Sequence, residues 1–265
     1  MIAQARFSYH DSMVNLADRV AIVTGGGTGI GCAIAETFAR QGARVVVNYR
    51  RSREAAEEVV TGIRSRRGTA LALAADVSKP LEVSNLIFAV EREFGRLDYL
   101  INNAGWTRRV PHGRMDELTD DIWENALNVN LRGAFYVVRA AVPLLKRQPG
   151  AAIVNIASVG ALSGQGSSMA YAASKGAMVT LTKSLARALA PEIRVNAVLP
   201  GFVRTHFGGT PDSAYEKAER ITPLRRLATV GDVAAAALFF AAMAMGTTGE
   251  TLVVDGGMEP LGPAI

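Results

Sequence analysis

Short apolar runs alternate with longer segments of helical periodicity along nearly the whole chain. The runs are rich in Val, Ile and Leu and lack strict alternation with polar residues, which is typical of strands covered on both faces. In order they read VAIVTG, RVVVNY, ALALAADV, LDYLINNAG, AIVNIAS, IRVNAVLPG and TLVVDGG. Because helical segments separate them, the pattern predicts an α/β fold, a doubly wound parallel sheet of about seven strands with right-handed crossovers and helices on both faces.

Several helices have ends that can be read from the sequence. The first begins at the glycine cluster TGGGTGIG and stops near Gly42, another runs from Ser52 to about Gly68, and a third from Pro80 to Gly95. The apolar run VAAAALFFAAMAMG from Val233 is too short to span a bilayer and predicts a buried helix. The stretch from Phe202 to about Thr229 reads as a long irregular segment, and such segments are often functional.

The pattern contains no linker rich in Pro, Gly and Ser and no internal repeat. We therefore expect a single domain over residues 16–265, preceded by a flexible arm over residues 1–15. The N-terminus lacks the long apolar core and the cleavage site of a secretory signal. Met13, just before the first strand, is a candidate alternative start that would leave residues 1–12 as a loose arm.

Composition narrows the classes of partner. The 265 residues are 49% hydrophobic, which is enough to bury a substantial core, and the formal charge is +5. The basic residues are scattered in short clusters without an aromatic-studded stripe, so we expect a solvated basic surface and no nucleic-acid partner. The single cysteine, Cys32, excludes an intramolecular disulfide and fits a reducing cytoplasm. Because it lies in an apolar helix pattern, we expect it to be a small core residue. No membrane partner is expected.

A glycine-rich turn, Thr24 to Gly31, joins the first strand to the first helix. Such a turn brings a pyrophosphate against free N–H groups at the positive end of a helix. It lacks the lysine of a P-loop, and its glycines are spaced more widely than in G-x-G-x-x-G. A tight turn packed on a helix would leave the same signature, so the turn alone does not decide the ligand.

The end of the second strand, VVVNYRRSRE, bears on which dinucleotide binds. An acidic residue there would accept a hydrogen bond from the ribose 2′-hydroxyl of NAD, whereas an arginine would bind the 2′-phosphate of NADP. This chain has Tyr49 at that position, followed by Arg50, Arg51 and Arg53. Since a guanidinium can pair with a phosphate through two hydrogen bonds, NADP(H) is favoured and NAD(H) is left open. The alternative is that these arginines only flank the helix start at Ser52.

The segment YAASK places Tyr171 and Lys175 one turn apart on the same helix face. A tyrosine with a pKa near 10 is a poor acid–base catalyst at pH 7, but an adjacent ammonium lowers that pKa. Ser158 closes the strand AIVNIAS thirteen residues earlier, at the end where open α/β sheets place ligands. These residues predict a proton carrier beside a bound nicotinamide.

The motifs together resemble the short-chain dehydrogenase/reductase family, whose members have a single-domain Rossmann-like fold, from about Leu16 to Gly257. The resemblance rests on TGGGTGIG, Asp76–Val77, NNAG at Asn102–Gly105, Asn130, Ser158, YAASK and PGFVRT at Pro200–Thr205. It implies an oxidoreductase that interconverts a ketone or aldehyde and an alcohol by hydride transfer.

The resemblance implies four catalytic residues. Tyr171 would be the general acid or base, Lys175 would lower its pKa and bind the nicotinamide ribose, Ser158 would hydrogen-bond the substrate oxygen, and Asn130 would hold a water linking Lys175 to solvent. Asp76 would accept from the adenine amino group. The implied cofactor contacts are Gly25, Gly27, Thr28, Gly29, Ile30, Gly31, Tyr49, Arg50, Arg51, Asp76, Val77, Asn103, Ala104, Gly105, Tyr171, Lys175, Pro200, Gly201, Val203 and Thr205.

Other functions compete with this interpretation. A 3-oxoacyl-carrier-protein reductase is the alternative within the family, although Pro191 and Glu192 stand where carrier-protein users tend to have arginine. A catalytically silent cofactor-binding regulator is a second alternative. A serine hydrolase is a third, since ASVG around Ser158 is one residue short of a nucleophile elbow and His206 lies downstream. His10, His112 and His206 are far apart and lack paired Cys or acids, so no metal site is expected.

The substrate is expected to be a small carbonyl compound or alcohol. It would contact the residues that follow NNAG, which are Trp106, Thr107, Arg108 and Arg109. It would also contact a lid formed by the segment that begins at Phe202, where the candidates are Phe202, His206, Phe207 and Tyr215. The resemblance further implies a homotetramer packed through the long central helices, among them the nearly apolar helix around Ala170–Leu189, and the last strand.

Overall fold

The computed structural model describes residues 14–262, except for the side chain of Pro260. The predicted arm therefore lies outside the described residues apart from Val14 and Asn15. Val14 packs against the core, and the side chain of Asn15 accepts a hydrogen bond from the backbone of Ala17 at 2.9 Å.

Seven parallel strands form one sheet in the order β3-β2-β1-β4-β5-β6-β7. The strands are β1 Val20–Val23, β2 Arg44–Tyr49, β3 Thr69–Ala74, β4 Tyr99–Asn102, β5 Ala152–Ile156, β6 Arg194–Pro200 and β7 Thr251–Val254. Every adjacent pair is parallel, with Val20 opposite Arg44 and Tyr99 opposite Ala152 in register. The predicted doubly wound parallel sheet is confirmed.

Helices separate the strands as the periodicity predicts. They are α1 Gly29–Arg40, α2 Arg53–Ser65, α3 Pro80–Phe94, α4 Asp120–Leu127, α5 Ala134–Leu145, α6 Gly160–Ser163, α7 Met169–Leu189, α8 Asp212–Ile221, α9 Val230–Leu238 and α10 Met258–Leu261. A π-helical turn, Asn128–Gly133, joins α4 to α5, and a second one, Phe239–Met243, continues α9. The helix that ends at Gly95 does so because this glycine adopts the left-handed conformation, with φ of 68°.

Two apolar layers enclose the sheet. One layer contains buried side chains of α1, α2 and α9, with Phe38 and Ile63 among its large members. The other contains those of α3, α5 and α7, including Leu86 and Leu144. Strands β1, β4 and β5 contribute alternate residues to both layers and are buried throughout, which explains why their sequences are continuous apolar runs.

Three sequence expectations need correction. The stretch predicted to be irregular from Phe202 contains helix α8, because its apolar residues Tyr215 and Ala218 recur at helical spacing and are buried with Leu227. The apolar segment from Val233 is not buried on all sides, since Phe239 remains 41% exposed. Cys32 is half-buried at the edge of the core rather than inside it.

Asp98 ties together the starts of β1 and β4, the two strands at the centre of the sheet. Its buried carboxylate accepts hydrogen bonds from the guanidinium groups of Arg19 and Arg96, both at 2.7 Å, and from the backbone N–H of Val20 at 2.9 Å. Burial raises the pKa of Asp98, but these hydrogen bonds outweigh it, so the pKa lies below its usual value. The ionised carboxylate therefore stabilises the fold.

We expect Asp98→Asn to lower the free energy of unfolding by about 2–3 kcal/mol at pH 7, because it leaves buried donors without a charged acceptor. Since the folded pKa of Asp98 is depressed, this contribution is present above the unfolded pKa and is lost as the pH falls through the folded pKa. Urea denaturation between pH 7 and pH 3 measures both effects. The exposed Asp116→Asn is the matched control, and an equal loss in both variants would contradict the assignment.

Candidate functional site

The carboxyl ends of β1 and β4 lie side by side at the point where the strand order reverses. From β1 the chain proceeds to β2 and β3 on one side, and β4 begins the other side of the sheet. Ligands of open α/β sheets bind in the crevice at such a switch point. The glycine turn follows β1, NNAG follows β4, Ser158 follows β5 and Gly201 follows β6, so the sheet brings all four motifs to one edge.

The glycine turn requires glycine at particular positions. Gly25 and Gly29 adopt positive φ values of 61° and 52°. At Gly31 a Cβ atom would lie 2.3 Å from the carbonyl oxygen of Gly25 and 2.5 Å from Nδ2 of Asn103, so no side chain fits. Gly27 faces the backbone of Ala56, where a Cβ would lie 3.1 Å away. The backbone is thus folded tightly onto itself and its neighbours.

Asn103 and Thr24 hold this turn against the loop after β4. Nδ2 of Asn103 donates to the carbonyl oxygens of Thr24 and Gly25 at 3.0 and 3.1 Å. The hydroxyl of Thr24 accepts from the backbone N–H groups of Asn103 and Ala104, each at 3.0 Å. The side chain of Asn103 therefore positions the glycine turn, and the predicted contact of this residue with the cofactor stays a prediction.

The first turn of α1 presents backbone N–H groups. Thr28 is the N-cap residue and makes no side-chain capping bond, and the first turn carries no acidic residue. Ile30 is half-buried beside it. A Cβ at Gly29 would lie 3.3 Å from Cγ2 of Thr205, which brings the end of β6 close to this turn. Free N–H groups at a helix N-terminus beside a side-chain-free turn fit a pyrophosphate.

A cleft of about 130 Å³ extends from the glycine turn across the end of β2. Its lining residues are Gly25, Asn48, Arg50, Ala75, Asp76, Val77, Ala104, Gly105, Trp106 and Val129. Six of these were predicted cofactor contacts. The sequence did not predict cofactor contacts for the other four residues, Asn48, Ala75, Trp106 and Val129. Of these, only Asn48 could have been recognised as a cofactor contact, because it is a polar residue in an otherwise apolar strand. Its side chain donates to the carbonyl oxygen of Ala75 at 3.1 Å.

The alternation of β2 decides which of its predicted residues face the cleft. Asn48 and Arg50 line the cleft, whereas Tyr49 packs against the core on the other face of the sheet. Arg51 is exposed to solvent and does not line the cleft. Nη1 of Arg50 lies 3.6 Å from Oδ2 of Asp76.

Asp76 is held as a carboxylate at the wall of this cleft. Burial raises its pKa, but hydrogen bonds from the hydroxyl and the backbone N–H of Ser78, at 2.7 and 2.9 Å, make the net shift downward, with help from the charge of Arg50. Both bonds from Ser78 go to Oδ1. Oδ2 therefore is the oxygen that faces Arg50.

Tyr171 and Ser158 meet through their hydroxyl groups. Tyr171 is in the first turn of α7, and its backbone N–H donates to the N-cap hydroxyl of Ser168 at 3.2 Å. Burial raises the pKa of Tyr171 to about 12, and the hydrogen bond with Ser158 opposes that shift. The Oγ of Ser158 also accepts from the backbone N–H of Gly160 at 3.1 Å. Ser158 thus contacts a tyrosine, and the hydrolase alternative, which needs a histidine base, gains no support.

Lys175 is buried and does not hydrogen-bond to the phenol. Its Nζ donates to the carbonyl oxygen of Ile156 at 2.7 Å and lies 5.7 Å from the centre of the Tyr171 ring. Burial lowers the pKa of Lys175 to about 8. Burial is the largest influence on the pKa of the phenol, and the expected lowering of that pKa by Lys175 stays a prediction.

Asn130 joins the loop after β4 to α7. In the π-helical turn, its Oδ1 accepts from the backbone N–H of Trp106 at 2.7 Å, and its Nδ2 donates to the carbonyl oxygen of Trp106 and to the hydroxyl of Ser174. Both side-chain donors are therefore used within the protein. The Ser174 hydroxyl in turn donates to the carbonyl oxygen of Tyr171 at 2.7 Å, which connects Asn130 to the catalytic helix.

The segment after β6 completes the site. The carbonyl oxygen of Pro200 accepts from the backbone N–H of Val159, and Gly201 leaves no room for a Cβ, which would lie 2.5 Å from the side chain of Asp255. Val203 forms an isolated bridge with Ala228. These contacts fix the path of the chain from β6 to Thr205.

Aromatic lid candidates fall into two groups. Phe207 packs on Tyr171 with ring centres 6.0 Å apart, so it covers the phenol ring. Tyr215 is buried and donates to the carbonyl oxygen of Thr205 at 3.2 Å, with Phe202 edge-on to its ring. Tyr215 thus supports the segment, and Phe207 faces the reacting position.

No helix in the described part of the chain is long and apolar enough to cross a membrane. Among residues 14–262 there is also no cluster of His, Cys, Asp and Glu side chains that could hold a metal ion.

The fold and the site define a dinucleotide-binding α/β oxidoreductase, and comparisons with known proteins agree. A family model described as enoyl-(acyl carrier protein) reductase matches residues 25–259. The chain is 39% identical over 249 residues to a 3-oxoacyl-[acyl-carrier-protein] reductase of Synechocystis sp., covering 93% of this chain and 99% of that protein. We conclude that the chain belongs to the short-chain dehydrogenase/reductase family.

Solved structures place the fold in the same family. A short-chain dehydrogenase from Burkholderia cenocepacia J2315, solved in complex with NADP, superposes with a TM-score of 0.84 at 36% identity, covering 91% of this chain and 98% of that chain. A short-chain dehydrogenase/reductase described as a glucose/ribitol dehydrogenase, from Brucella melitensis, gives a TM-score of 0.84 at 32% identity, covering 92% and 98%.

If Tyr171 is the general acid that the family resemblance implies, Tyr171→Phe should lower kcat at least about a hundredfold, because it removes the hydroxyl and leaves the ring in place. The affinity for NADPH should stay within a factor of about two, measured by fluorescence titration beside the turnover assay. Tyr136→Phe, on α5, is the matched control and should keep its activity. Retained turnover in Tyr171→Phe would exclude this residue as the acid.

Proposed function

We propose that the protein is an NADP(H)-dependent oxidoreductase that interconverts a ketone or aldehyde and the corresponding alcohol, with Tyr171 as general acid or base. One observation carries the proposal. The Ser158–Tyr171 hydroxyl pair lies at the end of β5 with buried Lys175 one turn along α7, at the same sheet edge as the glycine turn.

The side chains divide the chemistry between them. When bound, the nicotinamide nucleotide supplies or accepts the hydride. Ser158 and Tyr171 hydrogen-bond the carbonyl oxygen, and Tyr171 gives it a proton during reduction. A pKa of about 12 keeps this phenol protonated at neutral pH, which suits a general acid.

Lys175 assists the oxidation of the alcohol and binds the cofactor. With a pKa of about 8 it is mostly an ammonium at pH 7, and only one of its three donors is used by Ile156. The remaining donors can bind the nicotinamide ribose, and its charge favours the tyrosinate that alcohol oxidation needs. Asn130 has only an acceptor position left for the expected water, so its main contribution is to hold Trp106 and Ser174 in place.

The preference for NADP(H) rests on the charge at the adenine end of the cleft. Arg50 lines the cleft and Arg51 stands next to it, whereas β2 ends without an acidic residue. The Burkholderia cenocepacia relative was solved with NADP, which supports the same choice here. The glycine turn has no side chains in the way, and the start of α1 is uncapped, so this part of the site fits the pyrophosphate of either nucleotide. NAD(H) is therefore the alternative cofactor.

Reduction of an acyl chain on a carrier protein is the second candidate, because the Synechocystis relative carries that name. At the end of α7, Glu192 stands where carrier-protein users tend to have arginine, and it pairs with Lys146 at 3.5 Å. Arg147, which like Lys146 follows α5, pairs with Glu91 at 2.8 Å. Arg187, in the last turn of α7, is exposed and is paired with no carboxylate among the described residues, so this face keeps a basic group that an acidic carrier could contact. A silent regulator is less consistent with the site, since all four catalytic positions hold competent side chains.

We expect Arg50→Ala to weaken NADPH binding by ~1–3 kcal/mol while NADH binding changes little, because only NADPH carries the 2′-phosphate. Fluorescence titration with both nucleotides measures this. The same variants are assayed by NADPH absorbance against a panel of carbonyl compounds, beside a panel of esters.

Arg92→Ala, an exposed arginine on α3, provides the matched control and should bind both nucleotides normally. Equal losses for NADPH and NADH in Arg50→Ala would remove the 2′-phosphate assignment. Turnover of esters without any reduction of carbonyl compounds would overturn the proposed function as a whole.

We further propose that the enzyme is cytoplasmic and assembles as a homotetramer. Exposed apolar side chains are present on α5, where Phe135 stands beside Tyr136, and near β7, where Phe239, Met243 and Leu252 are all at least 36% exposed. Light scattering coupled to size-exclusion chromatography should give four times the 28.1 kDa chain mass. Phe135→Glu should shift the mass to a smaller species, and a monomeric wild type would refute the assembly.

A further inference from the structure

Three segments surround the catalytic tyrosine and form what we call the mouth. They are residues 105–110 after β4, residues 158–175 around α6 and the start of α7, and residues 202–210 after β6. The hydroxyls of Thr107 and Ser167 hydrogen-bond to each other, and the backbone N–H of Val110 donates to the carbonyl oxygen of Ser167 at 2.8 Å. The first two segments are therefore joined directly.

The third segment closes the ring. Phe207 packs on Tyr171, and a Cβ at Gly208 would lie 2.9 Å from Cγ2 of Thr107. Nη2 of Arg109 donates to the hydroxyl of Thr210 at 2.7 Å. Phe207 and Thr210 are three residues apart, so the chain between them spans at most about 10 Å. Arg109 is thus bound to the same segment as Phe207, the residue that packs on Tyr171.

The charge of the mouth is one-sided. Its three segments contain three arginines, one lysine and one histidine, and no aspartate or glutamate. Arg204 is compensated from outside, by Glu219 at 3.3 Å and Asp212 at 3.9 Å, both on α8. Within the described residues, Arg108 and Arg109 have no such carboxylate partner, and the side chain of Arg109 binds the neutral hydroxyl of Thr210. Positive charge without a counter-charge remains at the rim.

We propose that Arg109 forms an anion subsite, so that the substrate is a carbonyl compound carrying a carboxylate or phosphate a short distance from the reacting carbon. This inference rests on the proposed function and adds the substrate class to it. A guanidinium has five donors in a planar fork, and the bond to Thr210 leaves a pair free for two parallel bonds to an anion. Thr210 orients the fork, and Arg108 adds charge that attracts the anion.

A small anion is favoured over an acidic carrier protein for two reasons. Arg109 is tied into the ring of contacts around Tyr171, where a small molecule can reach it together with the catalytic hydroxyls. Near the end of α7, by contrast, Lys146 is paired with Glu192 and Arg147 with Glu91, so these two groups offer no unpaired charge to an acidic carrier.

The test uses methyl ketones that carry a terminal carboxylate, with one to five methylene groups between the two functions, and the methyl esters of the same acids. A matched phosphonate series separates phosphate from carboxylate recognition. In the wild type, kcat/KM for the preferred acid should exceed that for its ester by about tenfold. The preference should shrink as the salt concentration rises, because the rim is exposed to solvent.

Arg109→Gln should reduce this ratio to near one through a higher KM for the acid, while kcat and KM for the ester and the affinity for NADPH stay within about twofold. Arg109→Lys should restore part of the preference, since it keeps the charge and loses the fork. Arg92→Gln is the matched control and should keep the full ratio. An unchanged ratio in Arg109→Gln, equal rates for acids and esters at every length, or a preference seen only with carrier-bound substrates would overturn the subsite.

Failure of the subsite and failure of the proposed function give different results. Reduction of the esters without a preference for anions contradicts the subsite alone. If no carbonyl compound is reduced, the proposed function fails, and the subsite is then judged by calorimetric titration of the NADP⁺ complex with the same acids. Weaker binding to Arg109→Gln than to the wild type would support it, and equal binding or none would overturn it.

Discussion

The close approach of the glycine turn to the loop after β4 is the constraint on which the site depends. A Cβ on Gly31 would lie 2.3 Å from the carbonyl oxygen of Gly25, and Nδ2 of Asn103 bridges the carbonyl oxygens of Thr24 and Gly25. This contact joins β1 and β4 where the strand order reverses. It aligns the free N–H groups of α1 with the cleft and sets the direction of the chain toward Trp106, which Asn130 then fixes to α7.

Burial shifts the pKa values of Tyr171 and Lys175, the two central residues of the candidate site, in opposite directions. It raises the pKa of Tyr171 to about 12 and lowers that of Lys175 to about 8. The phenol therefore keeps its proton at neutral pH, and the lysine is anchored to Ile156 rather than to the phenol. In the proposed oxidation of an alcohol, positive charge close to the phenol would favour the tyrosinate.

The distribution of charge separates the two ends of the site. At the adenine end, Arg50 has a counter-charge in Asp76, whose Oδ1 is already occupied by Ser78. At the mouth, Arg109 is balanced by no carboxylate among the described residues and is oriented by Thr210. Arg109 thus differs from Arg50 and from Arg204, which are each paired with a carboxylate, and this difference is the observation from which we propose a charged substrate.

The sequence alone determined the sheet, most helix ends and the chemistry-bearing residues, because apolar runs, glycine turns and YAASK depend on local spacing. It could not show that Tyr49 turns away from the cleft while Asn48 and Arg50 face it, since that depends on the register of β2 within the sheet. It also could not show that Lys175 donates a hydrogen bond to the carbonyl oxygen of Ile156. Nor could it show that both side-chain donors of Asn130 are used by Trp106 and Ser174. The hydrogen bond from Arg109 to Thr210 joins residues 101 positions apart. Hydrogen bonds and desolvation between distant segments exist only after folding, so the tertiary structure decided the pKa values and the walls of the mouth.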